Sequence, residues 1–188
     1  MKGIDRYWHL TWTTYGQWLP GDERGSVTRI RMPDHEHRLE EDQFGTPRTP
    51  PIPRLNEAAQ EALVGPPVLL TKPQAEQLLL QFHETCEYRK WLLVATAIMA
   101  NHTHALLGVP GDPEPEDLLR DLKSWGSRKL NKLYGKPPSG TWWTESGSRR
   151  KKPDMSAILN TIDYIKNQDY PLVVWINPVT EKWHQQPT

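Results

Sequence analysis

Apolar residues recur along this chain in blocks that alternate between strand-like and helix-like patterns. "YWHLTWTT" (7–14) has the β-branched and aromatic content of a strand and runs into the turn "YGQWLPGD". "TKPQAEQLLLQFHETCEYRKW" (71–91) predicts a helix. Thr71 and Gln74 make a capping box, Pro73 sits in the first turn, and Ala75, Leu78, Leu79 and Phe82 form the buried stripe. "WLLVATAIM" (91–99) is a near-continuous apolar run, as in a central strand, and "THALLGV" (103–109) is its expected hairpin partner, turning at Ala100–Asn101. "PEDLLRDLKSWGSRKLNKL" predicts a second helix with Leu118, Leu119, Leu122 and Leu130 inward. "GTWWTES" predicts a further strand, "GSRRKKPD" a basic loop, and "DMSAILNTIDYIKNQ" a third helix. The closing "YPLVVWI" is strand-like or an extended arm. Strand, helix, strand, strand, helix, strand is the order of a ferredoxin-like split βαβ, an α+β antiparallel sheet, here with an additional C-terminal helix. Residues 33–56, rich in proline and charge, are expected to be a surface excursion from a single domain spanning 1–188.

The 188 residues are enough for a real core. No apolar run is long enough to span a membrane and the N-terminus lacks a signal-peptide core, so the chain reads as cytoplasmic with no membrane contact. One cysteine, Cys86, excludes an internal disulfide and a thiolate zinc site. The 23 basic and 23 acidic residues cancel, yet between Leu118 and Lys152 ten Lys/Arg face two Asp/Glu. That segregation suits either a local phosphate-binding stripe or a solvated helix and loop. Trp142 and Trp143 cannot both point inward from one strand, so one of them is expected to face a ligand or another element.

Candidate chemistry begins at "NHTH" (101–104). Side chains alternate across a strand, so His102 and His104 share one face while Thr103, Ala105, Leu107 and Val109 share the other. Two imidazoles so spaced can converge on one divalent cation, or can be an ordinary half-exposed pair. On the third helix Met155, Ile158, Leu159, Ile162 and Ile165 cluster on one side. Tyr164 lies roughly 155° from that stripe, and Gln168 follows one turn later on the same polar face. Either they are plain surface or, near a metal, a nucleophile and an oxygen ligand.

"NHTH" followed by a helical "YIKNQ" resembles the HUH single-strand DNA endonucleases, in particular the small single-tyrosine transposases of insertion sequences and their REP-associated relatives. "YWHLTWTTYGQWLPGD", "LLRDLKSWGSRKLN" and "WWTESGS" carry the likeness over most of the chain. The resemblance implies that His102, His104 and Gln168 bind Mg²⁺ or Mn²⁺ and that Tyr164, on the additional helix, is the nucleophile. It implies cutting and rejoining of single-stranded DNA, with hairpin ends as the expected substrate, through a covalent 5′-phosphotyrosine. Relatives include dimers and monomers, so a homodimer is open. The middle residue of the motif is usually bulky and hydrophobic; here it is Thr103. Arg120, Lys123, Arg128, Lys129 and Lys132 of the second helix, and Arg149, Arg150, Lys151 and Lys152 of the basic loop, are then candidate phosphate contacts. Exposed tryptophans would stack on bases. The alternatives are a non-catalytic nucleic-acid-binding descendant and a zinc hydrolase, the latter lacking convincing carboxylate or histidine partners.

Overall fold

A computed structural model describes residues 3–23 and 51–185. In chain order these residues form β1 (Arg6–Thr13), α1 (Pro53–Glu61), α2 (Lys72–Arg89), β2 (Leu92–Ile98), β3 (His102–Val109), α3 (Pro115–Tyr134), β4 (Ser148–Lys152), α4 (Met155–Lys166) and β5 (Val173–Ile176). A 3-10 helix, Pro178–Gln185, closes the described region. The strands make one antiparallel sheet in the order β4-β1-β3-β2-β5. The fold is therefore α+β, with helices on both faces of the sheet. Among the described residues no helix is long and apolar enough to cross a membrane.

Alternation along the strands builds two cores. Leu10 and Trp12 of β1, Leu93 and Ile98 of β2, and Ala105, Leu107 and Val109 of β3 pack under α2 and α3. Ala75, Leu78 and Phe82 come down from α2, and Leu118, Leu119, Leu122 and Leu130 from α3. At the start of α2 the Thr71 backbone N–H donates to Gln74 Oε1 at 2.8 Å, the return arm of the expected capping box. Gly126 lets the two helices approach: a Cβ there would lie 2.9 Å from Leu78 Cδ2. On the other face Ala95, Ala97, Met99 and Leu106 receive Ile158, Ile162 and Ile165 of α4. Met155, expected in that stripe, is the first residue of α4 and is exposed.

Two expected elements differ. "GTWWTES" is not a strand; beside the sheet it forms an isolated bridge between Thr14 and Trp143, and the Thr144 N–H donates to the Thr13 carbonyl. Freed from strand alternation, both tryptophans are buried and neither faces solvent. Trp142 Nε1 donates to Asn131 Oδ1 at 2.8 Å, and Trp143 Nε1 to Ser127 Oγ at 2.8 Å, so both dock on α3. Conversely, "SRRKK" within the expected basic loop is the edge strand β4, paired with β1. An edge strand can carry charge on both faces because only one side of it must pair. Of the expected surface excursion, residues 33–50 lie outside the described residues, and α1, which buries no side chain, begins at Pro53.

Thr103 is fully buried among the apolar side chains under α2 and α3, and its Oγ1 has no hydrogen-bond partner. A hydroxyl buried unpaired costs about 1–3 kcal/mol. Thr103→Val keeps the shape and removes that cost, so it is expected to stabilise the protein by about 1 kcal/mol or more in denaturant unfolding, whereas Thr103→Ala is expected to destabilise it.

Candidate active site

The face of the sheet covered by α4 carries a polar cluster at the β1–β3 junction. The register places Thr11 opposite His104 and Thr13 opposite His102, so Thr11 and His104 project side by side. His102 and His104 do share this face, with ring centroids 5.1 Å apart. His9, two residues before Thr11, joins them: His9 Nε2 is 3.2 Å from His104 Nδ1, and the ring centroids are 5.2 Å apart. Thr11 Oγ1 is 2.8 Å from the same Nδ1.

Helix α4 brings the tyrosine to this cluster. Its N-terminus is fixed by Asp154, whose Oδ1 accepts the Ala157 N–H at 2.8 Å, and its inner face rests on the small Ala95 and Ala97. Small sheet residues let the helix lie low. Tyr164 remains half exposed, yet its ring meets His104 edge-on at 5.2 Å and His9 at 5.9 Å. Gln168 does not continue the helix, which ends at Lys166 with Asn167 as its cap. Its side chain instead folds back, donating from Nε2 to the Tyr164 carbonyl at 2.9 Å, and it also hydrogen-bonds His104. The amide thus reaches the histidines from a turn, not from a further helical turn.

Burial governs the charge state. It pushes His104 down to about 3, helped by the neighbouring His9 and His102 and opposed by the Gln168 hydrogen bond. Burial also pushes His9 down to about 3, aided by Lys152 and Arg150. Both imidazoles are therefore neutral at physiological pH and keep a lone pair. His102 Nδ1 lies 2.7 Å from Asn101 Oδ1, an acceptor, so that nitrogen carries the proton and the lone pair stays on Nε2. Among the described residues no three His, Cys, Asp or Glu side chains are arranged to hold a metal. The two imidazoles and the Gln168 amide oxygen are the nitrogen and neutral oxygen donors here that could hold a divalent cation.

The candidate cations divide between the two sheet faces. Arg150 and Lys152 of β4 pair with His9 and Tyr7, on the histidine face. Arg149 and Lys151 point to the opposite face, where Arg149 Nη2 is 2.9 Å from Glu116 and Lys151 Nζ is 3.5 Å from Asp112. The α3 residues Arg120, Lys123, Arg128, Lys129 and Lys132 also belong to that opposite layer and do not border the cluster. Arg120 pairs with Asp117 at 2.7 Å, Lys129 with Glu84 at 3.3 Å, and Arg128 stacks 4.5 Å above Trp125. Lys123 donates to the carbonyls of Thr144, Glu145 and Ser146, which anchors the loop carrying the two tryptophans, and burial lowers its pKa to about 8. Cys86 is a free, buried thiol that burial pushes up to about 12, hence unreactive.

His9 and Thr11 were not among the residues expected from sequence. Their signal was present: in "YWHLTWTT" every second residue from His9 is polar while Trp8, Leu10 and Trp12 alternate with them.

Residues 67–168 match the family model described as "Transposase IS200 like", a span that contains His102, His104, Tyr164 and Gln168 and begins after β1. No curated protein matches the chain. Among solved structures, it is similar to a REP-associated tyrosine transposase bound to a REP hairpin, at 15% identity over 99% of this chain and 73% of that one, TM-score 0.48. It is also similar to a Deinococcus radiodurans R1 protein provisionally assigned as a transposase, at 16% identity over 90% of this chain and 96% of that one, TM-score 0.45. With the family match covering more than half of its length, the chain belongs to the IS200-like transposases, the single-tyrosine branch of the HUH superfamily.

Proposed function

We propose that the protein is a metal-dependent strand transferase that cuts and rejoins single-stranded DNA through Tyr164. The observation that carries this reading is the tyrosine ring lying edge-on, 5.2 Å away, to a neutral His104 on the face it shares with His102. The β4-β1-β3-β2 part of the sheet has the strand order of a ferredoxin-like split βαβ, which supports reading α4 as the additional, tyrosine-bearing helix.

His102, His104 and Gln168 would hold Mg²⁺ or Mn²⁺. A cation there would supply stabilisation of the charge that develops on the scissile phosphate. A phenol with a pKa of about 10 is a weak nucleophile at neutral pH, so such stabilisation matters. The Tyr164 oxygen attacks phosphorus and loses its proton, the bond from phosphorus to the 3′ oxygen breaks, and a 5′-phosphotyrosine and a 3′-hydroxyl result. One phosphodiester replaces another, so the step reverses without an external energy source. Arg150 and Lys152, flanking His9, would hold the backbone phosphates beside the scissile one. The cations of α3, on the far layer, would meet DNA outside the cleft, such as a hairpin stem.

Tyr164→Phe is expected to abolish the denaturant-resistant protein–DNA band formed with labelled single-stranded hairpins and Mn²⁺, with binding in gel-shift assays retained. His102→Ala, His104→Ala and EDTA should also remove cleavage while sparing binding. Full cleavage in EDTA would refute the metal site, and a non-catalytic DNA-binding protein would give no band in the wild type.

The two faces of β4 make a sharper expectation. Replacing Arg150 and Lys152 by Gln should flatten the dependence of log affinity on log salt by about 0.7 per lost contact. Replacing Arg149 and Lys151 by Gln should leave that slope unchanged. Equal effects in a salt titration would mean that the strand alternation does not sort DNA contacts.

A further inference from the structure

His102 and His104 are oriented by different kinds of partner, and the difference gives His9 a role. Beside His102 Nδ1 stands an amide oxygen, which can only accept, so the tautomer of His102 follows directly. Beside His104 Nδ1 stands the Thr11 hydroxyl at 2.8 Å, which can donate or accept. If Thr11 donated its hydrogen to Nδ1, the single proton of a neutral His104 would sit on Nε2 and that atom could not ligate a cation. Something must set the direction. His9 Nε2 lies 3.4 Å from Thr11 Oγ1 and 3.2 Å from His104 Nδ1, buried behind both.

We propose that Thr11 and His9 are positioning residues that fix His104 with its proton on Nδ1 and its Nε2 lone pair turned to the cation. His9 presents an unprotonated Nε2; the Thr11 hydrogen turns toward it; the Thr11 lone pairs then face His104 and accept its Nδ1–H. Geometry favours this chain because every member is held by the sheet. Thr11 and His104 are direct partners across the β1–β3 ladder, and His9 is two residues along on the same face. Hydrogen-bond partners behind ligating histidines typically change metal affinity by about 10–100-fold when removed.

This inference rests on His104 being a ligand, and its test separates the two. Imidazole ¹⁵N resonances of the full chain with Mg²⁺ report the tautomer, and calorimetric titration with Mn²⁺ reports affinity. With Mg²⁺ bound, the wild type is expected to show His104 protonated on Nδ1, the ring having given up its hydrogen bond to Gln168. Thr11→Val removes the hydroxyl at constant shape and should weaken Mn²⁺ binding about 10-fold or more, with the His104 tautomer becoming mixed. Thr11→Ser, which keeps the hydroxyl, should restore both readouts. In His9→Phe the hydroxyl remains but loses its direction, and the tautomer should again be mixed. An unaltered tautomer and affinity in both Thr11→Val and His9→Phe, with thermal melts confirming folding, would overturn the inference. His104→Ala binding Mn²⁺ as tightly as wild type would instead refute the ligand assignment on which it rests.

Discussion

Slide β1 by one residue against β3 and His9, Thr11 and Thr13 would pass to the face covered by α2 and α3, while Trp8, Leu10 and Trp12 would meet the histidines. That slip is prevented by packing: Leu10 and Trp12 are fully buried against Phe82, Trp143 and the α3 leucines, and moving them to the other face would expose them. The hydrophobic core on one side of the sheet thus fixes the polar cluster on the other. Register is the common cause of both, and the rest of the site follows from it.

The second face is thinner and more permissive. Its alanines admit α4 at close range, the Asp154 cap fixes where the helix begins, and Tyr164 is carried to the histidines as a consequence. The same burial that packs this face strips His9 and His104 of water and keeps them neutral, which is what a lone-pair donor requires. Arg150 and Lys152 act in the same direction on His9 and leave positive charge at the rim. Core packing, imidazole neutrality and a cationic border are therefore one arrangement seen at three distances.

Much of this was legible because it is local. Alternation placed His102 and His104 together, helical periodicity put Tyr164 off the apolar stripe, and Thr71 with Gln74 marked the start of α2. What escaped depends on tertiary context. Whether "SRRKK" is a loop or a strand is decided by its pairing with β1, since its own residues are poor strand formers. Trp142 and Trp143 are both buried because Asn131, Ser127 and Lys123 of α3 meet an irregular segment, which no periodicity announces. Lys123, a candidate phosphate contact, donates to carbonyls just after those tryptophans, which charge and spacing do not reveal. His9 was hidden by distance in sequence, 95 residues from the histidine it touches.

The chemistry proposed for this fold converges on one oxygen atom, that of Tyr164. Reaction with single-stranded hairpin DNA in Mn²⁺, proteolysis, and mass-spectrometric mapping of the DNA-linked peptide tests it directly. The expected product is a nucleotide joined through its 5′-phosphate to Tyr164, within the peptide that spans α4. Attachment to Tyr7, on β1, or to Tyr170, exposed beyond the end of α4, or the absence of any linked peptide while the DNA is nonetheless cut, would contradict it.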